Sequence, residues 1–146
     1  MQRFGCGYPK LKSGSIWIHA VSVGEVQATI PLVNELKHHY PDKDIIITTV
    51  TPTGSLQVKN IFKGTVKTSY IPFETNFAIK NFFNSINPSV ALIMETELWP
   101  NLYRECGKRR IPLILVSARI SAKSLVNYKR FLPLFRDTLS HGILIA

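Results

Sequence analysis

The 146-residue sequence contains no apolar run near the ~20 residues that a membrane-spanning helix needs. It does not open with a basic and then apolar secretory segment either. The two cysteines, Cys6 and Cys106, lie far apart and outside any CxxC or metal-type spacing, which is typical of a reducing compartment. These absences predict a soluble, cytoplasmic chain without a disulfide or a zinc site.

Acidic residues are scarce, with 9 Asp and Glu against 18 Lys and Arg and a formal net charge of +9. Such a balance favours an anionic partner: phosphate, nucleic acid or an anionic membrane surface. The longest basic run, Lys108 to Arg110, ends a predicted helix, where cations complement the helix dipole. Because no RNP-like, zinc-finger or helix-turn-helix signature accompanies the charge, we expect no nucleic-acid binding.

Two phosphate-binding signatures are also missing. The GxGxxG fingerprint does not follow the first predicted strand, where only Gly24 occurs, and no GxxxxGK[ST] loop is present. The sequence therefore argues against an ordinary NAD-binding or P-loop domain.

Short β-branched runs alternate with longer amphipathic segments along the chain, which is typical of strand-helix units around a parallel sheet. The predicted strands are Ile16–Ala20, Asp44–Val50, Thr68–Pro72, Val90–Met94, Pro112–Ser117 and Gly142–Ala146. The predicted helices are Gly24–His39, Gly54–Phe62, Asn76–Ser85, Trp99–Lys108 and Ala122–Leu139, the last broken at Pro133. We predict one α/β domain over residues 15–146, preceded by an irregular basic arm over residues 1–14.

Ligands of an open parallel sheet bind beyond the carboxyl ends of its strands. The segments that follow the predicted strands hold most of the unusual residue choices in this chain. They are His19–Glu25, Thr48–Ser55, Glu95–Asn101 and Ser117–Ser121. Their shared position predicts a functional site at that edge.

The turn from Ser22 to Glu25 has two interpretations. A Ser followed three residues later by Glu is a capping box, which satisfies the first N–H groups of a helix. A carboxylate at this turn is equally well placed to accept a proton from a substrate hydroxyl, and Gly24 permits close backbone approach. The chemistry of these residues leaves the two interpretations even.

The segments that follow the other predicted strands also have both a structural and a functional interpretation. Hydroxyls and a glycine in Thr48–Ser55 suit phosphate or sugar hydroxyls at backbone N–H groups, although helix capping is the slightly favoured interpretation. Glu95 and Glu97 point the same way on extended chain, ahead of a helix that Pro100 can start, and we expect at least one to be functional. Arg119 follows a strand and can meet either those glutamates or an anionic ligand.

Four motifs give the chain a family resemblance. It resembles, from about Arg3 onward, the N-terminal half of a bacterial Kdo transferase, the 3-deoxy-D-manno-octulosonic acid transferase of lipopolysaccharide synthesis. The motifs are Ile16-Trp-Ile-His-Ala-Val-Ser-Val-Gly-Glu-Val26, Thr48-Thr-Val-Thr-Pro-Thr-Gly-Ser55, Met94-Glu-Thr-Glu-Leu-Trp-Pro-Asn101 and Ser117-Ala-Arg-Ile-Ser121. The third is the most specific.

The resemblance implies the acceptor domain of a GT-B glycosyltransferase, an enzyme of two Rossmann-like domains, here without its C-terminal donor domain. Such an enzyme would transfer Kdo from CMP-Kdo to a lipid A precursor with inversion. The family's general base falls on Glu25, and a second essential acidic position falls on Glu95 or Glu97. No metal or other cofactor is expected. The acceptor-binding candidates are Ser22, Gly24, Thr51, Thr53, Gly54, Ser55, Asn101 and Arg119.

The chain departs from the family pattern in places. Ser117 replaces an Asn before Ala-Arg, and Pro72-Phe-Glu74 replaces Pro-Tyr-Asp. Without an anchor and a donor domain, the chain is interpreted as a fragment, a split subunit or a degraded reading frame. An acceptor-binding remnant without catalysis and an unrelated nucleotide-binding Rossmann-like domain stay open as alternatives.

The resemblance also explains the basic balance, because the acceptor is a phosphorylated glycolipid in an anionic bilayer. It places the protein at the cytoplasmic face of the bacterial inner membrane. The candidate membrane-facing cations are Arg3, Lys10, Lys12, Arg119, Lys123 and Arg130.

Overall fold

A computed structural model describes residues 1–94, 99–116 and the backbone of 143–145. Its strands are β1 (Ser15–His19), β2 (Ile45–Thr49), β3 (Lys67–Tyr70), β4 (Pro88–Met94), β5 (Leu113–Val116) and β6 (Ile143–Ile145). In this described part the strands form one sheet in the order β3-β2-β1-β4-β5-β6, and every neighbouring pair is parallel. That order is typical of a doubly wound, Rossmann-like fold.

The helices alternate with the strands as the sequence pattern predicts. They are α1 (Val23–His39), α2 (Pro52–Phe62), α3 (Asn76–Ile86) and α4 (Pro100–Lys108), after a short 3₁₀ helix at Gln2–Phe4. The predicted elements are confirmed with shifts of one or two residues at their ends, such as β3 ending at Tyr70 instead of Pro72. The predicted helix Ala122–Leu139 lies outside the described residues.

The sheet is covered by helices on both faces. On β1, Trp17 is fully buried and packs edge to face against Phe82 and Phe83 of α3, with ring centroids 5.1 and 5.7 Å apart. Its neighbour Ile18 points to the opposite face and joins a second buried cluster, which contains Val33 of α1 and Val58 of α2. Because both faces of β1 are buried, its sequence reads as a near-continuous apolar run.

The first three helices begin in the same way. Ser22, Thr51 and Thr75 are the N-cap residues of α1, α2 and α3, and each side chain accepts a hydrogen bond from the backbone N–H three residues later. These caps hold the turns that follow β1, β2 and β3, at the carboxyl edge of the sheet.

The N-terminal arm crosses from one edge of the sheet to the other. At the carboxyl edge, the Arg3 guanidinium donates to the carbonyl of Val50. Further along the arm, Tyr8 is buried and contacts Phe82 edge to face. At the amino edge, the backbone N–H of Lys12 donates to the Asp44 carboxylate just before β2, at 2.9 Å.

The described part of the chain contains both cysteines. Cys6 is exposed, Cys106 is buried, and neither is disulfide-bonded. Among the helices that the structure describes, none is both long and apolar enough to cross a membrane.

Candidate active site

The central position of β1 brings the predicted segments to one edge. His19, the last residue of β1, pairs with Thr48 of β2 on one side and with Ile93 of β4 on the other. The turn into α1 therefore lies between the Thr-rich turn after β2 and the end of β4. Residues 95–98 and 117–120, which include Glu95, Glu97 and Arg119, lie outside the described residues.

Both interpretations of Glu25 have a structural basis. Its backbone N–H donates to Ser22 Oγ at 3.2 Å, and its carboxylate accepts from the Val21 N–H at 2.8 Å and from the Ser22 hydroxyl at 2.9 Å. A capping box is thus present, but the carboxylate accepts from the N–H of Val21 and not, as is usual, from the N–H of the N-cap residue Ser22. Each carboxylate oxygen accepts one hydrogen bond, which leaves each with a further acceptor site. Glu25 is only half-buried.

The packing of the described residues does not explain why position 24 is a glycine. Gly24 is exposed in the first turn of α1, and a Cβ built on it would meet only Ser22 Oγ, at 3.9 Å, an ordinary contact distance. Glycine stabilises a helix less than alanine does. The missing side chain leaves open surface next to Ser22 Oγ, the hydroxyl that donates to the Glu25 carboxylate.

Gly54, in contrast, is explained by packing. A Cβ on this buried residue would lie 3.2 Å from Thr51 Oγ1 and 3.3 Å from the Cβ of Thr49. Glycine therefore lets the first turn of α2 lie close to the end of β2. Thr51 itself caps α2, with its hydroxyl 3.1 Å from the Gly54 N–H, while Thr53 is exposed.

Ser55 faces a different surface from the one that the sequence pattern suggested. It is 8% exposed and lines a surface cavity of about 430 Å³ between α2, β3 and the N-terminal arm. Gln2, Lys59, Thr68 and Tyr70 are among the other residues of this cavity.

Asn101 lies in a contact that sequence reasoning missed. The Glu74 carboxylate, from the loop after β3, accepts the backbone N–H groups of Asn101 and Leu102 at 2.8 and 3.2 Å. The Asn101 side-chain amide donates to the Glu74 carbonyl at 3.0 Å. Trp99, the N-cap residue, makes no side-chain capping bond, so Glu74 supplies the cap of α4. The sequence signal was weak, because the two partners lie 27 positions apart.

His19 is a second residue that sequence reasoning did not single out. Its side chain is fully buried, with Nδ1 3.1 Å from the Thr48 carbonyl oxygen and 3.0 Å from Thr48 Oγ1. Burial lowers the pKa of His19 from its ordinary 6.5 to about 4, partly offset by the bond to Thr48. The ring is therefore neutral near pH 7, and it contacts the Trp99 ring edge to face at 5.9 Å. Its only sequence signal was a histidine at the end of an apolar strand.

Metal ligation has no support in the described ranges. No group of three His, Cys, Asp or Glu side chains within residues 1–94 and 99–116 lies close enough together to hold an ion.

Comparisons with known proteins agree with the fold and the motifs. A family model described as 3-deoxy-D-manno-octulosonic-acid transferase (kdotransferase) matches residues 1–146. A 3-deoxy-D-manno-octulosonic acid transferase of Haemophilus influenzae is 44% identical over 131 residues, which are 90% of this chain and 31% of that protein. A probable mitochondrial enzyme of the same name from Arabidopsis thaliana is 38% identical over 148 residues, covering 99% of this chain and 33% of that protein.

The parallel α/β sheet and the family match define the N-terminal, Rossmann-like domain of a GT-B type glycosyltransferase. The chain belongs to the 3-deoxy-D-manno-octulosonic-acid transferase family, the Kdo transferases of lipopolysaccharide synthesis. It spans about a third of the length of the curated relatives that it matches.

Proposed function

We propose that this chain is the acceptor half of an enzyme that transfers Kdo from CMP-Kdo to a lipid A precursor. Family membership supports the transferase chemistry, and a longer polypeptide or a separate partner would supply the donor domain. The observation that carries the proposal is the Glu25 carboxylate, which the Val21 N–H and the Ser22 hydroxyl hold at the carboxyl edge of the sheet. Gly24 leaves open surface next to Ser22 Oγ at the same turn.

Glu25 acts as the general base in this proposal. A hydroxyl of the acceptor sugar gives its proton to the carboxylate as its oxygen attacks the anomeric carbon of Kdo. The new C–O bond forms while the bond from that carbon to the phosphate oxygen breaks, and CMP leaves from the opposite face. The configuration is therefore inverted. The bonds from Val21 and Ser22 fix the orientation of the carboxylate before the substrate arrives.

The acceptor contacts divide into two groups. Ser22, Gly24, Thr51 and Thr53 are exposed after β1 and β2, and we propose that they contact the acceptor. Gly54 and Asn101 form contacts within the protein that position the starts of α2 and α4. Ser55 faces the cavity at the arm. Glu95, Glu97 and Arg119 stay in the proposal as catalytic and acceptor-binding candidates on the strength of their motifs.

The acceptor is a phosphorylated glycolipid, and the enzyme has to meet it in a bilayer. We propose that the protein works at the cytoplasmic face of the bacterial inner membrane. The formal charge of +9 supports this, because basic surface is attracted to anionic lipids.

The test is Glu25→Gln in the complete polypeptide that carries this chain. A capping box accepts Gln as well as Glu, so the substitution removes the base and retains the cap. We expect the rate of Kdo transfer to fall by roughly 10²- to 10⁴-fold, with the melting temperature little changed. Transfer is measured with CMP-Kdo and a lipid A precursor.

Glu35→Gln is the matched control. Glu35 is exposed on the same helix and pairs only weakly with His39, at 3.6 Å, so transfer should be unchanged. If Glu25→Gln retains wild-type turnover, Glu25 is not the base. If the wild-type polypeptide binds the lipid A precursor without transferring Kdo, it is a binding-only remnant. Membership of the family removes the alternative of an unrelated nucleotide-binding domain.

A further inference from the structure

The hydrogen bonds of His19 determine which ring nitrogen carries the proton. Nδ1 lies 3.1 Å from the Thr48 carbonyl oxygen, which can only accept a hydrogen bond. The proton is assigned to Nδ1, because the Thr48 hydroxyl donates to the Ile18 carbonyl at 3.4 Å and not to this nitrogen. The nearby Thr48 hydroxyl already accepts from Trp17 Nε1 at 2.8 Å, which holds this side of the ring in place.

This tautomer leaves Nε2 of His19 with a lone pair. The atom is buried, and it has no hydrogen-bond partner within the described residues. Buried polar atoms are rarely left unpaired, because an unmade bond to a desolvated group destabilises the protein. Nε2 of His19 is therefore a buried hydrogen-bond acceptor, and we expect it to accept a bond from a donor group that binds there.

Trp99 presents the complementary group. Its indole N–H is also buried and, among the residues that the structure describes, has no acceptor. The rings of Trp99 and His19 are in edge-to-face contact at 5.9 Å, with an interplanar angle of 80°. One unpaired donor and one unpaired acceptor thus belong to two side chains that touch each other at the carboxyl end of β1.

We propose that His19 Nε2 and the Trp99 N–H together bind one hydroxyl group, which is either a buried water molecule or a hydroxyl of the sugar acceptor. A hydroxyl is the smallest group that donates to one atom and accepts from the other. A buried water in such a place typically makes about three hydrogen bonds to otherwise unpaired groups. The sugar alternative rests on the function proposed above. With an acceptor hydroxyl, His19 and Trp99 are binding residues. With a water molecule, they are positioning residues beside the turn that carries Glu25.

Two substitutions at His19 separate the roles of its nitrogens in the complete polypeptide. His19→Asn places an amide N–H near the position of Nδ1 and removes the acceptor at Nε2. His19→Gln places an amide oxygen near the position of Nε2 and so retains an acceptor. Each variant is also made together with Trp99→Phe, which keeps an aromatic ring and removes the indole N–H.

The two sources of the hydroxyl give different readouts. If it belongs to the acceptor, His19→Asn raises the KM for the lipid A precursor about tenfold, and His19→Gln restores it. If it is a water molecule, His19→Asn lowers the melting temperature of the ligand-free protein by about 2 °C or more, and His19→Gln restores that instead. Under either source, the difference between Asn and Gln shrinks in the Trp99→Phe background, because the shared group has lost its second partner.

Two results would overturn the proposal. One is that the Asn and Gln variants agree in both KM and melting temperature. The other is that the difference between them is as large with Phe at position 99 as with Trp. The melting measurements need no turnover, so they test the water source of the hydroxyl even if the polypeptide transfers no Kdo and the proposed function fails.

Discussion

At the scale of single residues, the two candidate glycines of the site differ in what surrounds them. Gly54 lies against Thr49 and Thr51 so closely that a Cβ would have to displace them. Gly24 has open space among the residues that the structure describes, yet it occupies the first turn of a helix. A glycine that packing does not require is a stronger candidate for ligand contact than one that packing does require.

Alanine at each position is expected to give opposite results. Gly24→Ala should keep or raise the free energy of unfolding, by up to about 1 kcal/mol, because alanine favours the helix. The same substitution should weaken binding of the acceptor, because the added methyl group narrows the open surface next to Ser22 Oγ. Gly54→Ala should lower the free energy of unfolding by roughly 1 kcal/mol through overpacking. Urea unfolding and the KM for acceptor measure the two effects; a Gly24→Ala enzyme with unchanged kinetics would remove Gly24 from the site.

Burial of His19 should make the free energy of unfolding depend on pH. Its pKa is lowered from 6.5 to about 4 in the folded protein, so between these values the unfolded chain binds more protons. The free energy of unfolding therefore falls as the pH drops from about 6.5 toward 4, by on the order of 3 kcal/mol.

Urea unfolding midpoints over this pH range test the effect. His19→Gln should flatten the dependence, because the variant has no imidazole to protonate at this position. His38→Gln is the matched control, since His38 is exposed on α1 and should leave the dependence as it is. An equal slope in wild type and His19→Gln would show that another group is responsible.

At the scale of elements, the helices of the site are anchored in two different ways. Ser22 and Thr51 cap α1 and α2 from within their own turns. The cap of α4 comes instead from Glu74, which lies in the loop after β3. A carboxylate at a helix N-terminus satisfies N–H groups and complements the helix dipole. Glu74 thereby connects the loop before α3 to the element that follows the Glu95 and Glu97 motif.

Removal of this cap should destabilise the protein locally. We expect Glu74→Ala to lower the free energy of unfolding by about 1–2 kcal/mol, as typical losses of an N-cap do. Hydrogen exchange at the amides of Asn101 and Leu102 should become faster, because these groups lose their acceptor. Glu35→Ala, an exposed change on α1, serves as the comparison. Unaltered exchange in Glu74→Ala would mean that α4 does not depend on this contact.

At the scale of the whole molecule, two of the cations proposed to face the membrane, Arg3 and Lys12, lie at opposite edges of the sheet. Arg3 is at the carboxyl edge, but its guanidinium donates to the Val50 carbonyl and lies over the Tyr70 and Phe73 rings, at 5.4 and 5.7 Å from their centroids. Lys12 is at the opposite edge, next to Asp44. The carboxyl edge instead presents apolar surface: Phe4 is 67% exposed and packs on Phe73 at 5.0 Å.

If the site faces the bilayer, vesicle binding should depend on this edge. We expect the complete polypeptide to bind vesicles with anionic lipid and to lose on the order of tenfold in affinity between about 0.05 M and 0.5 M salt. Phe4→Ser should weaken binding through lost apolar contact, whereas Lys12→Ala should leave it unchanged. A vesicle sedimentation assay measures the binding of both variants. If Lys12→Ala weakened binding and Phe4→Ser did not, the amino edge would lie against the membrane.

Much of the fold was predictable because it depends on local patterns. Alternating β-branched and amphipathic runs predicted each described strand and α-helix, and Ser22 and Pro100 were recognisable as helix starts. The shared edge of the motifs followed from the geometry of a parallel sheet. The roles of the individual site residues stay predictions that the experiments above test.

The sequence by itself determined the class of the domain, its family and the motifs that its turns carry, since periodicity, capping and motif spacing are read along the chain. Only the tertiary structure decided that Glu74 caps α4 and that Gly54 is required by packing. It also decided that, among the described residues, nothing packs against Gly24 closely enough to require a glycine and the buried Nε2 of His19 has no partner. These features arise from contacts between residues far apart in sequence. Burial and pairing belong to the packed sheet and its helices, and no local pattern encodes them.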